Sequence, residues 1–119
     1  MLTHTYMALN TYTPTDATET LFVYGSLKQP MVQVQIIGRY DVGQPDILCG
    51  YDTHVCNFGK QTYPMIRPDH EGIVTGVRIA LTPDELALLD HYETEAYTRI
   101  RVTLRSGHTT WVYADANQA

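Results

Sequence analysis

Two stretches hold residues that could do chemistry, and they lie far apart in the chain. The first reads Leu21-Phe22-Val23-Tyr24-Gly25-Ser26-Leu27-Lys28. Its four apolar or aromatic residues fit a short core strand. Gly25 permits a sharp turn, and Pro30 suits the first position of a helix, where a missing N–H costs nothing. A strand, a tight turn and a helix start in succession leave several backbone N–H groups aimed one way, a seat for a carboxylate or phosphate. Alone, a Gly-Ser turn after a strand is common and carries little. The second stretch centres on Glu93. Leu86 and Leu89 share one helical face, and at about 100° per residue Glu93 returns to that face. A carboxyl on an apolar stripe is desolvated, which favours its neutral form and suits it to exchanging protons near neutral pH. The other reading is that the helix frays first and the carboxylate meets water or pairs with Arg99 or Arg101. Asp90 is the second candidate for the chemical group, but it points partly aside on the same wheel and is expected to cap or brace the neighbouring loop.

Other chemistries find less support in the residues. Ser26 lacks the Gly-x-Ser-x-Gly frame of a nucleophile elbow and has no His/Asp pair nearby, so it reads as a hydrogen-bonding residue. The histidines, His4, His54, His70, His91 and His108, have no metal-site spacing, and the isolated pair His54-x-Cys56 is a weak signal, so no metal is expected. Two cysteines, Cys49 and Cys56, are too few for a disulfide framework and match no redox motif; they read as reduced core thiols. The nine tyrosines suit a polar cavity or a sheet surface equally.

The elements that must position these residues follow in chain order. Residues 1–20 are rich in threonine with no sustained period, and read as a flexible arm with few large side chains, Tyr6, Met7 and Leu9 among them. Residues 21–119 read as one domain. Residues 30–37 predict a short helix stopped by Gly38. A strand at Ile47-Leu48-Cys49, another over residues 51–58 ended by Gly59-Lys60, and an extended piece at Tyr63-Pro64-Met65-Ile66 come next. Residues 71–81 alternate as a strand, with Gly76 where a backbone can approach closely. Thr82-Pro83-Asp84-Glu85 spells a capping box, which fixes the start of the helix that carries Glu93. Residues 97–105 and 109–113, joined by Ser106-Gly107-His108, predict a hairpin. A net charge of −5 with no basic run argues against nucleic acid or an anionic membrane as partner. No apolar run approaches the roughly 20 residues of a membrane span, so a cytoplasmic location is the expectation.

In order and spacing, Phe22-Val23-Tyr24-Gly25-Ser26-Leu27, Tyr63-Pro64, Gly76-Val77, Leu89-Asp90-His91-Tyr92-Glu93, Tyr97-Thr98-Arg99 and Trp111-Val112-Tyr113 together resemble the gamma-glutamylcyclotransferase-like superfamily. Pro30 and Gly38-Arg39 resemble its avirulence-induced-protein-like branch. The resemblance implies an α+β fold, a small mixed β-barrel with peripheral helices, in which the Tyr-Gly-Ser-Leu loop and the helix-end glutamate face one cavity. It implies Glu93 as the acid/base, Tyr24, Gly25, Ser26 and Leu27 as substrate-holding residues, and Tyr63 and Tyr113 as cavity lining. It implies a γ-glutamyl small molecule as substrate, cleaved to 5-oxoproline and a free amine without metal or organic cofactor. Many members carry glycine after the glutamate, where this chain has Thr94, and characterised cyclotransferases continue the loop differently from Lys28-Gln29-Pro30.

Overall fold

The apolar run at residues 21–23 lies in β1 (Glu19–Val23), the middle strand of a five-stranded sheet ordered β2-β3-β1-β5-β4. In the computed structural model, which describes residues 10–58 and 61–117, Leu21, Phe22 and Val23 are all at most 2% exposed. Successive side chains of a strand point to opposite faces, so an unbroken apolar run needs cover on both. Leu21 and Val23 pack with Ile79, Leu81, Leu86 and Leu89 on the helix side. Phe22 packs with Leu48, Ile66, Val74 and Val112 inside the curl of the sheet.

β1 starts earlier than the apolar pattern indicates, since Glu19 and Thr20 already pair with Leu81 and Ala80. The Trp111 indole N–H donates to Glu19 Oε1 at 3.0 Å. Tyr6, Met7 and Leu9 lie outside the described residues.

β2 (Gln44–Phe58) and β3 (Gln61–Leu81) form a long antiparallel hairpin. The sequence divides each of these strands in two; the structure joins them. Between Cys49 and Tyr51 the register shifts, with Gly50 at φ +89° facing the extra residues 69–72 of β3, the sort of irregularity that breaks alternation without ending a strand. Gly59-Lys60, expected to end the first strand, lies outside the described residues. At Gly76 a Cβ would run into the Val23 carbonyl oxygen and the Phe22 ring, so the close approach of β3 to β1 requires glycine.

α1 (Pro30–Ile37) ends at Gly38, which takes φ +79° and donates its N–H to the Val34 carbonyl at 2.9 Å. α2 (Pro83–Glu93) begins with the expected capping box: Thr82 Oγ1 accepts from Glu85 N–H at 3.0 Å, and Glu85 Oε1 accepts from Thr82 N–H at 2.9 Å. Arg39 ties the two helices to the sheet, donating twice to the Glu85 carboxylate (2.7 and 2.9 Å) and once to the Ala80 carbonyl (2.7 Å).

β4 (Tyr97–Thr103) and β5 (Thr109–Asp115) form the predicted hairpin, and β5 runs parallel to β1, so the sheet is mixed. The outer half of the β2–β3 hairpin folds over the ends of β4 and β5. Tyr97 Oη donates to the Pro64 carbonyl at 2.9 Å, and His54 of β2 reaches Asp115 of β5 although these strands are not sheet neighbours. The α+β fold is therefore a five-stranded curled half-barrel with two helices, its sheet left open between β2 and β4 where the resemblance implied a barrel. No helix among the described residues is long and apolar enough to cross a membrane.

Candidate active site

Between the end of β1, the start of α1 and the last turn of α2 lies a cavity of about 660 Å³. Tyr24, Gly25, Ser26, Leu27, Tyr63, Glu93 and Tyr113, all the site residues named from the sequence, line it together. The two distant stretches thus meet at one hollow.

The loop after β1 is a short 3-10 turn, Ser26–Lys28, before α1 begins. Its internal bonds run from Lys28 N–H to the Gly25 carbonyl (3.0 Å) and from Gln29 N–H to the Ser26 carbonyl (2.9 Å). The N–H groups just ahead are those that a first turn leaves without an intrahelical acceptor. The Leu27 side chain is buried in the helix-side core and anchors the turn. Gln33, 2% exposed, steadies it from α1: its amide donates to the Leu27 carbonyl at 2.8 Å and its carbonyl accepts from Asp41 N–H at 2.9 Å. Gly25 sits at φ −117°, so the turn does not demand glycine through a left-handed backbone. Space is the constraint instead, since a Cβ there would lie 3.3 Å from Pro64 Cγ across the cavity.

α2 places Glu93 as the wheel requires. Leu86 and Leu89 are buried, and Glu93 closes the same stripe half-buried at the helix end. Burial pushes its carboxyl up to about 7. Among the described residues no cation offsets that cost, because the arginines expected as alternatives are engaged elsewhere. Arg99 donates twice to Asp90 at 2.9 Å, and Arg99 and Arg101 both stack on Trp111, 4.2 Å from the ring centroid. Asp90 also accepts from Tyr113 Oη at 2.6 Å, so it braces β4 and β5 rather than a loop.

Three phenols around the cavity, Tyr24, Tyr97 and Tyr113, are held in the neutral form. Tyr24 donates to the Tyr113 carbonyl at 2.7 Å, and burial raises its pKa, aided by the nearness of Tyr97 and Glu93. Burial likewise raises Tyr97 and Tyr113, the latter further through its bond to Asp90. The sequence reading missed Tyr92, Tyr97, Thr62 and Ala96, which also line the cavity, and Gln33 behind the turn. Tyr97 belongs to a quoted motif, but only the fold of β3 over β4 shows that it faces the hollow.

Thr94, directly after Glu93, has φ +65° and ψ −171°. This is backbone that glycine adopts freely and a β-branched residue does not. The position where the resemblance implied glycine is thus one whose conformation favours it. The two thiols are free, Cys49 exposed and Cys56 half-buried, so Cys49 is not a core residue.

A family model described as gamma-glutamyl cyclotransferase, AIG2-like, matches residues 21–118. AIG2-like protein C of Arabidopsis thaliana is 39% identical over 80 residues, which cover 66% of this chain and 45% of that protein, so the chain spans less than half the length of this curated relative. Two solution structures of Arabidopsis thaliana proteins superpose with a TM-score of 0.69 at 28% identity, covering 85% and 84% of this chain and 70% and 63% of theirs. The crystal structure of an uncharacterised Pyrococcus horikoshii protein superposes at 0.61 and 15% identity, covering 83% of this chain and 79% of that one, and shares the fold. With the matched region running from β1 through β5 and containing both the turn and the glutamate, the chain belongs to the gamma-glutamyl cyclotransferase, AIG2-like family.

Proposed function

We propose that this protein cleaves a γ-glutamyl amide or dipeptide by attack of the substrate's α-amine on its own γ-carbonyl, giving 5-oxoproline and a free amine. The observation that carries this reading is a half-buried carboxyl, raised to about 7 by desolvation, in the same cavity as the turn of residues 25–27. The attack is intramolecular, so the protein need only hold the substrate folded and manage one proton. The substrate's α-carboxylate sits against the N–H groups of residues 25–27. Glu93 as carboxylate takes a proton from the attacking amine as the new N–C bond forms. It then returns that proton to the leaving nitrogen as the old C–N bond breaks. Donors of the turn steady the oxyanion between the two steps. Tyr24, Tyr63 and Tyr113 shape the walls. The reaction itself requires neither metal nor organic cofactor.

A panel of γ-glutamyl amines and dipeptides tests this directly, with 5-oxoproline as the product to be measured. Glu93→Gln is expected to lower the rate ~10²–10⁴-fold with the circular dichroism spectrum unchanged. The acid limb of kcat/KM, set by ionisation of Glu93 near pH 7, disappears with it. No turnover across the panel, with Glu93→Gln altering only ligand affinity, would instead make the cavity a binding site for small carboxylates or amines.

A further inference from the structure

We propose that His54, Cys56 and Asp115 form a binding site for a borderline-soft divalent metal ion, Zn²⁺ foremost, which staples the β2–β3 hairpin to the end of β5. The spacing His54-x-Cys56 gives two side chains on one face of β2, since alternate residues of a strand point the same way. Two potential ligands on one strand carry little. The fold adds a third from a strand that is not its neighbour in the sheet: the Nε2 of His54 lies 3.2 Å from Asp115 Oδ2, and the Cys56 Sγ lies 3.8 Å from the same oxygen. All three donor atoms fall within 4.8 Å of one another. A tetrahedral Zn²⁺ with bonds of about 2.0–2.1 Å to nitrogen and oxygen and about 2.3 Å to sulfur separates its ligands by ~3.4 Å (N···O) and ~3.6 Å (S···O). The two separations at Oδ2 lie on either side of those edges, and side-chain rotations that draw His54 and Cys56 together, from within 4.8 Å to ~3.6 Å (N···S), complete the site.

Three further features fit. Imidazole, thiolate and carboxylate are the donor types Zn²⁺ takes, and a thiolate with a carboxylate neutralises its charge in a place where Asp115 is only 7% exposed. The carboxylate is already oriented from behind, because its other oxygen, Oδ1, accepts from Asn117 N–H at 2.9 Å, leaving Oδ2 for the cluster. The Nδ1 of His54 is buried and has no hydrogen-bond partner among the described residues, so it is free to take the ring proton that Nε2 gives up in making way for the ion. On binding, the Cys56 thiol gives its proton to solvent, the ring proton of His54 passes through solvent from Nε2 to Nδ1, and the ion replaces the two contacts that now converge on Oδ2. Three protein ligands leave a fourth position for water. The site adjoins the cavity wall, as Cys56 pairs with Tyr63 and Asp115 with Tyr97 across the strands.

The test uses the full chain stripped with a chelator and titrated with Co²⁺, then with Zn²⁺. The expected result is a thiolate-to-cobalt charge-transfer band saturating at one equivalent at micromolar protein, displaced by Zn²⁺, with a higher Tm in the Zn²⁺ form. Cys56→Ser abolishes the band while Cys49→Ser keeps it, and His54→Ala and Asp115→Asn each weaken binding by ~10-fold or more. Circular dichroism confirms that each variant is folded. The proposal is overturned if the folded chain gives no band at one equivalent, if the band survives Cys56→Ser, or if it is indifferent to both His54→Ala and Asp115→Asn. None of these readouts depends on turnover of a γ-glutamyl substrate, so this inference and the proposed activity fail separately.

Discussion

At the scale of single residues, Glu93 links stability to pH in a direction opposite to the usual surface carboxylate. Its folded-state pKa of about 7 lies above the ordinary value of 4.5, so between these two pH values the native state holds a proton that the unfolded chain has released. Stability is therefore fully present below about pH 4.5 and is lost as pH rises through 7, by on the order of 2–3 kcal/mol from this group. Glu93→Gln is expected to match the parent at pH 4 and exceed it by that amount at pH 8, as measured by urea unfolding at both values. A variant that loses stability at pH 8 would show that the carboxylate is stabilised by a partner rather than exposed to the cost of burial. The next residue carries a second local cost. Thr94 at φ +65° and ψ −171° holds a conformation worth roughly 1–3 kcal/mol of strain for a residue with a Cβ, against about 0.5–1 kcal/mol of extra chain entropy for glycine. Thr94→Gly should then raise the urea midpoint by the equivalent of ~1 kcal/mol with an unchanged m value.

At the scale of elements, α2 is placed by its ends. The capping box sets its start, and Glu85 of that box also accepts the buried guanidinium of Arg39, which is 3% exposed against 13% for its partner. Burial alone would raise the Glu85 pKa, but the bonds from Arg39 and from the Thr82 backbone outweigh it, and the net shift is downward. One side chain thus joins the end of α1, the start of α2 and the edge of β3. Arg39→Leu leaves the Glu85 charge without its partner and should cost ~3–5 kcal/mol, read as a fall in Tm and urea midpoint. Arg39→Lys should recover only part of it, because a single ammonium cannot reproduce the forked contact. The far end of α2 carries Glu93, so a variant that tilts the helix should also slow turnover.

At the scale of the whole molecule, the cavity exists because the sheet curls. The approach of β3 to β1 at Gly76, where a Cβ would collide with the Val23 carbonyl and the Phe22 ring, sits on the strand that leads straight into the turn at residues 24–28. Gly76→Ala should therefore lower stability by about 1–3 kcal/mol through overpacking, and raise KM more than it lowers kcat if the turn shifts with β1. A urea midpoint within error of the parent would show that the sheet can open there without strain.

Local chemistry decided what could be read without coordinates. The Gly38 stop, the box at Thr82, the turn at Ser106-Gly107-His108 and the return of Glu93 to the stripe of Leu86 and Leu89 depend on contacts within a few residues, and each is found where the pattern put it. The pattern split β2 and β3 because the extra residues 69–72 of β3 opposite Gly50 and an exposed stretch beyond the core interrupt alternation while the ladder continues. Only the tertiary structure decided that Tyr97 faces the hollow, that Arg99 belongs to Asp90 and not to Glu93, and that His54 and Cys56 meet Asp115. Those relations join residues brought together by the curl of the sheet, and no spacing along the chain records a distance that is set by folding it over.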